Sequence, residues 1–242
     1  MGSLKWLTKR PIAHRGLHDG NKNIWENTLA AFSGAMAGKF AIECDIHMTR
    51  DGVPVVFHDS PLERLTGEKG HVRERTASEM TAMSIGGTAE KVPTLDEMLA
   101  NVAGKVPLVI ELKGDQGHDG DMVRKVAKSL AKYRGKAAIM SFDHHLIRDF
   151  ARHAPDVPGG LTAEGIKDAD IEAHFSMLAH GISFVSYNVH HLPNRFIDLV
   201  RGKLKMPVIT WTVRTPDQLA KTFAEADQAT FELIDPDTFA AA

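Results

Sequence analysis

The chain has 242 residues, 43% of them hydrophobic, a formal net charge of −2 and one cysteine, a length that carries either two small domains or a single α/β barrel with a sizeable core. The near-neutral balance excludes a global field that would recruit nucleic acid or an anionic membrane, so phosphate recognition, where present, has to be local. One cysteine excludes an internal disulfide, no apolar run approaches the ~18 residues of a membrane span, and MGSLKWLTKRP lacks the apolar segment of a signal peptide, so a cytoplasmic protein without membrane insertion is expected.

Arg10 to Arg15 reads as a first strand that ends in His14, Arg15 and Gly16. Parallel α/β folds place their chemistry at such strand ends, although a strand that has simply reached solvent looks the same. After a polar loop, Leu29, Phe32 and Met36 recur at helical spacing, with Asn27 as the expected N-cap and Gly38 as the stop. Glu26 is then expected beside the positive end of that helix.

Ala41 to Asp59, AIECDIHMTRDGVPVVFHD, predicts two strands joined by a turn at Asp51-Gly52. Successive strand side chains alternate faces, so Ile42, Cys44 and Ile46 share an apolar side while Glu43, Asp45 and His47 share the other. Cys44 is a small core filler on this reading. His58 closes the second apolar run near the paired acids. Residues 59–106 interrupt the strand-then-helix rhythm and read as an insertion. Thr76 to Glu79 and Thr94 to Glu97 fit capping boxes, with Gly86-Gly87 between them, and EKGHVRER is most simply a solvated loop.

Alternation returns at Val106 to Lys113, where Val109, Glu111 and Lys113 share a face. The chain then cycles helix 121–133, strand 137–142, helix 143–153 and strand 157–162. Further cycles follow at 171–180, 184–188, 194–201, 207–213, 216–226 and 229–234. Eight strands alternating with helices predict a TIM (β/α)8 barrel, one domain over 1–242 with a small insertion at 59–106 after the second strand region.

In such a barrel Glu43, Asp45 and Glu111 point into one mouth. Two unit charges about 4 Å apart repel by ~4 kcal/mol at an effective dielectric near 20, so three pairs approach ~12 kcal/mol, comparable to the stability of a domain. Two arrangements relieve this. A hard divalent cation, Mg2+ or Ca2+, suits all-carboxylate ligation; alternatively Arg15 and Lys113 neutralise the acids without a metal. Those cations also suit an anionic phosphate. Two imidazoles, His14 and His58, one neutral and one protonated, can exchange a proton with the attacking and leaving oxygens of a phosphodiester.

HRG at 14–16, ENTLAAF at 26–32, IECDIHMTRDGVPVVFHD at 42–59 and ELK at 111–113 together resemble the glycerophosphodiester phosphodiesterase family. The resemblance runs in order through about half the chain. It implies a TIM barrel, His14 and His58 as the acid/base pair, Glu43, Asp45 and Glu111 as metal ligands, and Arg15 and Lys113 as phosphate contacts. Trp211 matches an aromatic on the glycerol side of the pocket. The implied reaction is hydrolysis of a glycerophosphodiester to sn-glycerol 3-phosphate and an alcohol. Two departures stand out: Trp25 replaces the usual proline before the ENT motif, and ATFELID replaces the usual GIITD-type strand, placing Glu232 near the position of its aspartate.

The other histidines carry plainer expectations. His144-His145 and His190-His191 read as surface or capping residues, His18 as a solvated loop residue, and His47 as a neighbour of the acids. A phospholipase-type diesterase acting on lysophospholipid or inositol phosphodiesters on the same barrel would release a cyclic phosphate. A non-catalytic phosphate-ligand barrel would be stabilised by ligand without forming product.

Overall fold

A computed structural model describes residues 4–115 and 121–238, so the first three residues of the N-terminal stretch lie outside it. The strands are β1 (Ile12–Ala13), β2 (Ala41–Met48), β3 (Pro54–Val56), β4 (Leu108–Leu112), β5 (Ala137–Ser141), β6 (Gly159–Ala163), β7 (Phe184–Asn188), β8 (Val208–Val213) and β9 (Gln228–Phe231). β1 pairs with both β2 and β9, so the eight parallel strands β1, β2 and β4–β9 close into a barrel, while β3 runs antiparallel on the edge of β2. The helices are α1 (Leu29–Ala37), α2 (Glu63–Thr66), α3 (Ala77–Ala82), α4 (Leu95–Val102), α5 (Met122–Leu130), α6 (His144–His153), α7 (Asp168–Met177), α8 (Arg195–Ile197) and α9 (Pro216–Glu225). This is the TIM (β/α)8 architecture that the alternation predicts.

Side-chain parity sorts the barrel into layers. Outward residues such as Ile42, Cys44, Ile46, Leu108, Ile110 and Leu112 pack under the helices in the main core. Inward residues at the amino ends of the strands, Ile12, Ala41, Val109, Ala138, Phe184 and Ile209, form a dry floor that Leu7 and Trp6 cover from below. One position further along the same faces stand Glu43, Glu111, Thr162 and Ser186, two residues after Ala41, Val109, Gly160 and Phe184. Polar chemistry therefore begins directly above the apolar floor. Gly160 makes room for that floor, since a Cβ there would collide with the ring of Phe184.

Local chemistry fixes the helix starts. Thr76 and Thr94 each accept from the third residue on, and Glu79 and Glu97 return the bond as full capping boxes. Thr215 caps α9, where Pro216 fills the first turn. From β3 up to α4 the chain builds a separate apolar cluster of Val55, Phe57, Leu62, Leu65, Val72, Met80, Ile85 and Val92. Leu95, Met98, Leu99 and Val102 of α4 pack instead into the main core. The EKGHVRER loop is less solvated than expected: Val72 is buried in that cluster, and Arg73 pairs with Asp115 at 2.8 Å.

Candidate active site

Parity brings three acids from β2 and β4 to one wall. Asp45 lies opposite Glu111 in the register of the two strands, and ligand oxygens of Glu43, Asp45 and Glu111 all lie within 4.8 Å of one another. All three are buried. Burial, then the charges of Asp45 and Glu111, push the Glu43 carboxyl well above the usual range. Burial also raises Glu111, against the pull of Lys113. Asp45 goes the other way: burial opposes its charge, but Lys113, His58 and Arg15 outweigh burial and hold it low.

Lys113 Nζ stands 3.0 Å from Asp45 Oδ1 and donates to Glu111 Oε1, and Arg15 Nε lies 3.5 Å from Asp45 Oδ2. Burial lowers the Lys113 ammonium, yet the acids more than offset it and its pKa rises. These cations leave part of the cluster unmet. Glu43 Oε1 is buried with no hydrogen-bond partner among the described residues. An all-oxygen donor set with an orphaned buried oxygen, and with Glu43 and Glu111 pushed up by burial and mutual repulsion, fits a hard divalent cation held by Glu43, Asp45 and Glu111.

The two imidazoles stand on either side of this wall. His58 Nδ1 lies 2.6 Å from Asp59 Oδ1, and Arg64 in turn donates from Nε to Asp59 Oδ2 at 2.6 Å and from Nη2 to Oδ1 at 2.9 Å. Arg64, then burial acting against it, and His58 set the Asp59 pKa at about 2. His14 Nε2 is 3.9 Å from Glu43 Oε2, while its Nδ1 faces Glu232 Oε1 at 3.5 Å. Burial lowers the pKa of both His14 and His58, favouring neutral rings. His47 touches the site through the backbone, its Nε2 lying 2.9 Å from the His58 carbonyl oxygen.

Several expectations change here. Asn27 is not the N-cap of α1; Thr28 accepts from the Ala31 N–H, and Asn27 sits at φ 57 with Nδ2 donating to Asp45 Oδ2 at 2.9 Å. Its amide is committed at both ends to Asp45, with Nδ2 donating to the buried carboxylate and Oδ1 facing the Asp45 N–H at 3.4 Å, and Asn tolerates the left-handed region. Glu26 lies just before the Thr28 cap, as expected, but its charge is also met by two guanidinium groups. It accepts from Arg15 at 2.7 Å and from Arg64 at 2.8 and 2.9 Å, and these partners overcome burial to bring its pKa to about 2. His18, expected in solvent, is buried against Glu232. His190 is exposed, as expected, and also lines the cavity, while His191 Nδ1 caps a loop by accepting from the Gly165 N–H at 2.8 Å. Trp25 packs on the small cluster, where its ring fills the space that a Cβ on Gly86 would need.

His14, Arg15, Glu43, His58, Glu111, Lys113 and Trp211 line one cavity of about 220 Å³, with Asp45 packed behind them. Trp211 and Phe142 meet edge to face, centroids 5.3 Å apart, as its apolar side. The wall across the barrel carries Thr162, Ser186 and Thr230, whose buried hydroxyl oxygens have no partner among the described residues. Nothing in the sequence marks these three, because a strand threonine or serine reads the same on either face. A second, more open hollow of about 780 Å³ shares His58, Glu111 and Lys113 and extends past Asp59, Phe142 and Asp143.

Acids, imidazoles and cations gathered at the carboxyl ends of parallel barrel strands define an enzyme of the (β/α)8 class. The Glycerophosphoryl diester phosphodiesterase family matches residues 14–232, and the chain belongs to this family. A glycerophosphodiester phosphodiesterase of Caldanaerobacter subterraneus subsp. tengcongensis is 36% identical over 223 residues, covering 87% of this chain and 88% of that protein. Among solved structures, a glycerophosphodiester phosphodiesterase from Agrobacterium tumefaciens aligns with a TM-score of 0.73 at 26% identity, over 96% of this chain and 98% of that one. An Oleispira antarctica phosphodiesterase, in complex with the product sn-glycerol-3-phosphate, shares the fold with a TM-score of 0.79 at 21% identity, over 95% and 94% of the two chains.

Proposed function

We propose that this chain hydrolyses glycerophosphodiesters to sn-glycerol 3-phosphate and an alcohol, with His14 and His58 as the acid/base pair. The observation that carries this reading is the pairing of two carboxylate-backed imidazoles with the acid cluster, Arg15 and Lys113 around one cavity. Family membership and the product held by the Oleispira antarctica relative support it.

Arg15 and Lys113 supply the positive charge that draws the phosphodiester anion into the cavity and orients it. With Nδ1 turned to a carboxylate, each imidazole leaves Nε2 to face the reacting centre. One neutral ring takes the proton of the attacking oxygen as the new P–O bond forms; the other, protonated, gives its proton to the departing alkoxide as the old P–O bond breaks. Trp211 and Phe142 offer an apolar wall to the glycerol carbons, and the open hollow beyond His58 leaves room for head groups of different size. A divalent cation, Mg2+ or Ca2+, held by Glu43, Asp45 and Glu111 would supply the Lewis-acid charge that stabilises the phosphoryl oxygens in the transition state.

Glycerophosphocholine is the test substrate. The expected products are choline and sn-glycerol 3-phosphate, with His14→Ala and His58→Ala each reducing kcat by about 100-fold or more. A stable cyclic phosphate as the final product would instead support the phospholipase-type reaction, and stabilisation by the ester without turnover would leave a binding protein.

A further inference from the structure

The environment of His58 is repeated around His14. His58 Nδ1 faces Asp59, and Asp59 is gripped by Arg64. His14 Nδ1 faces Glu232 Oε1 at 3.5 Å, and Glu232 is gripped by Arg214. Two strands of different origin thus build the same order of imidazole, carboxylate and guanidinium. Glu232 stands at the end of β9, where the His14 N–H donates to the Phe231 carbonyl at 3.0 Å and the Glu232 N–H to that of Val213 at 3.1 Å. The carboxylate is therefore tied to the backbone that carries His14.

His18 supplies a third hold. Its Nδ1 accepts the Gly20 N–H at 3.1 Å, which leaves the ring proton on Nε2. That nitrogen stands 3.3 Å from Glu232 Oε2. Arg214 donates to Oε1 of Glu232 while the His18 ring stands beside Oε2, so each carboxylate oxygen has a polar neighbour. Among these side chains His18 is 4% exposed and Glu232 10%, so water competes little for either.

We propose that Glu232, held by Arg214 with the buried His18 ring beside it, is a positioning residue for His14. It holds the ring tautomer with the proton on Nδ1 and leaves Nε2 free toward the phosphodiester. At 3.5 Å the His14 Nδ1 makes no hydrogen bond among the described residues, and on this proposal the contact shortens to one when substrate fills the cavity. This inference rests on His14 belonging to the acid/base pair.

A double-mutant cycle tests it, with hydrolysis of glycerophosphocholine read at excess enzyme for wild type, Glu232→Gln, His14→Ala and the double variant. Glu232→Gln is expected to lower kcat by about 10- to 100-fold with KM changed less than about 3-fold. In the His14→Ala background the same substitution is expected to cost less than about 2-fold, because a residue acting through His14 has nothing left to position. An equal loss in both backgrounds would overturn the proposal, as would a Glu232→Gln enzyme with full kcat beside an inactive His14→Ala. Unchanged turnover by His14→Ala itself would instead overturn the acid/base reading. Should Glu232→Gln not fold, as judged by thermal unfolding, Arg214→Met in the same cycle decides between coupled and independent losses.

Discussion

The backbone N–H of Arg15 donates to Glu43 Oε2 at 2.9 Å. It reaches that carboxylate because Arg15 lies in the left-handed region at φ 56, followed by Gly16 at φ 80. One tight turn after β1 thus aims a backbone donor and a guanidinium at the acid wall. Strain of this kind persists only when surrounding contacts hold it. Gly16 is the hold: a Cβ there would lie 2.8 Å from Ala31 Cβ and 2.9 Å from its carbonyl carbon.

Gly16→Ala is therefore expected to destabilise the fold by about 2–4 kcal/mol in urea unfolding and to lower activity with it, combining left-handed strain with overpacking. Gly67→Ala is the control. Gly67 has φ +75 and nothing lies within 4 Å of where a Cβ would stand, so only the backbone cost of about 1 kcal/mol is expected and activity should survive.

The unpartnered hydroxyl of Ser186 separates ligand binding from folding. Ser186 is fully buried and its Oγ has no hydrogen-bond partner among the described residues. Removing a buried unsatisfied group stabilises or leaves stability unchanged, so Ser186→Ala is expected to gain up to about 1 kcal/mol. KM for glycerophosphocholine is expected to rise several-fold, because the wall facing the acids loses a polar partner for the substrate. Chemical unfolding and steady-state kinetics on the same preparation check both signs.

His174 makes part of the fold acid-sensitive, away from the site. Its ring packs edge-on to Tyr187 with centroids 5.6 Å apart and lies the same distance from Phe196, and burial lowers its pKa to about 4. The unfolded chain takes up that proton near pH 6.5 while the folded chain refuses it. Stability is then full above about pH 6.5 and falls as pH drops toward 4, by about 1–3 kcal/mol. His174→Phe is expected to flatten this part of the stability profile, measured by urea unfolding at pH 7.5 and pH 5.

Much of this was legible in the sequence because the deciding interactions are local. Strict alternation in Ala41–Met48 and Leu108–Lys113 places Glu43, Asp45, Glu111 and Lys113 on one face, and threonine three residues before glutamate starts α3 and α4. What escaped is set by contacts distant in sequence. Asn27 abandons the helix for Asp45, 18 residues away, and Thr28 takes over the cap. His18 is drawn from solvent by Glu232, more than two hundred residues later. β6 begins at Gly159 rather than Val157, and its paired glycines follow from the ring of Phe150 on one side and Phe184 on the other, which no local propensity encodes. The helix that the pattern suggests over 194–201 is present, but only Arg195–Ile197 is α-helical and it continues as a π-helix over Asp198–Lys203.

On the proposed mechanism the acid wall of Glu43, Asp45 and Glu111 works with a divalent cation, and not with Lys113 and Arg15 as its sole counter-charges. The rate of glycerophosphocholine hydrolysis decides this, read on protein stripped with EDTA and then titrated with Mg2+ or Ca2+, beside Glu43→Gln. Activity is expected to be lost on chelation and recovered on saturation with one of the two ions, with a weakened or absent recovery in Glu43→Gln. An undiminished rate after complete chelation would contradict a metal-dependent site.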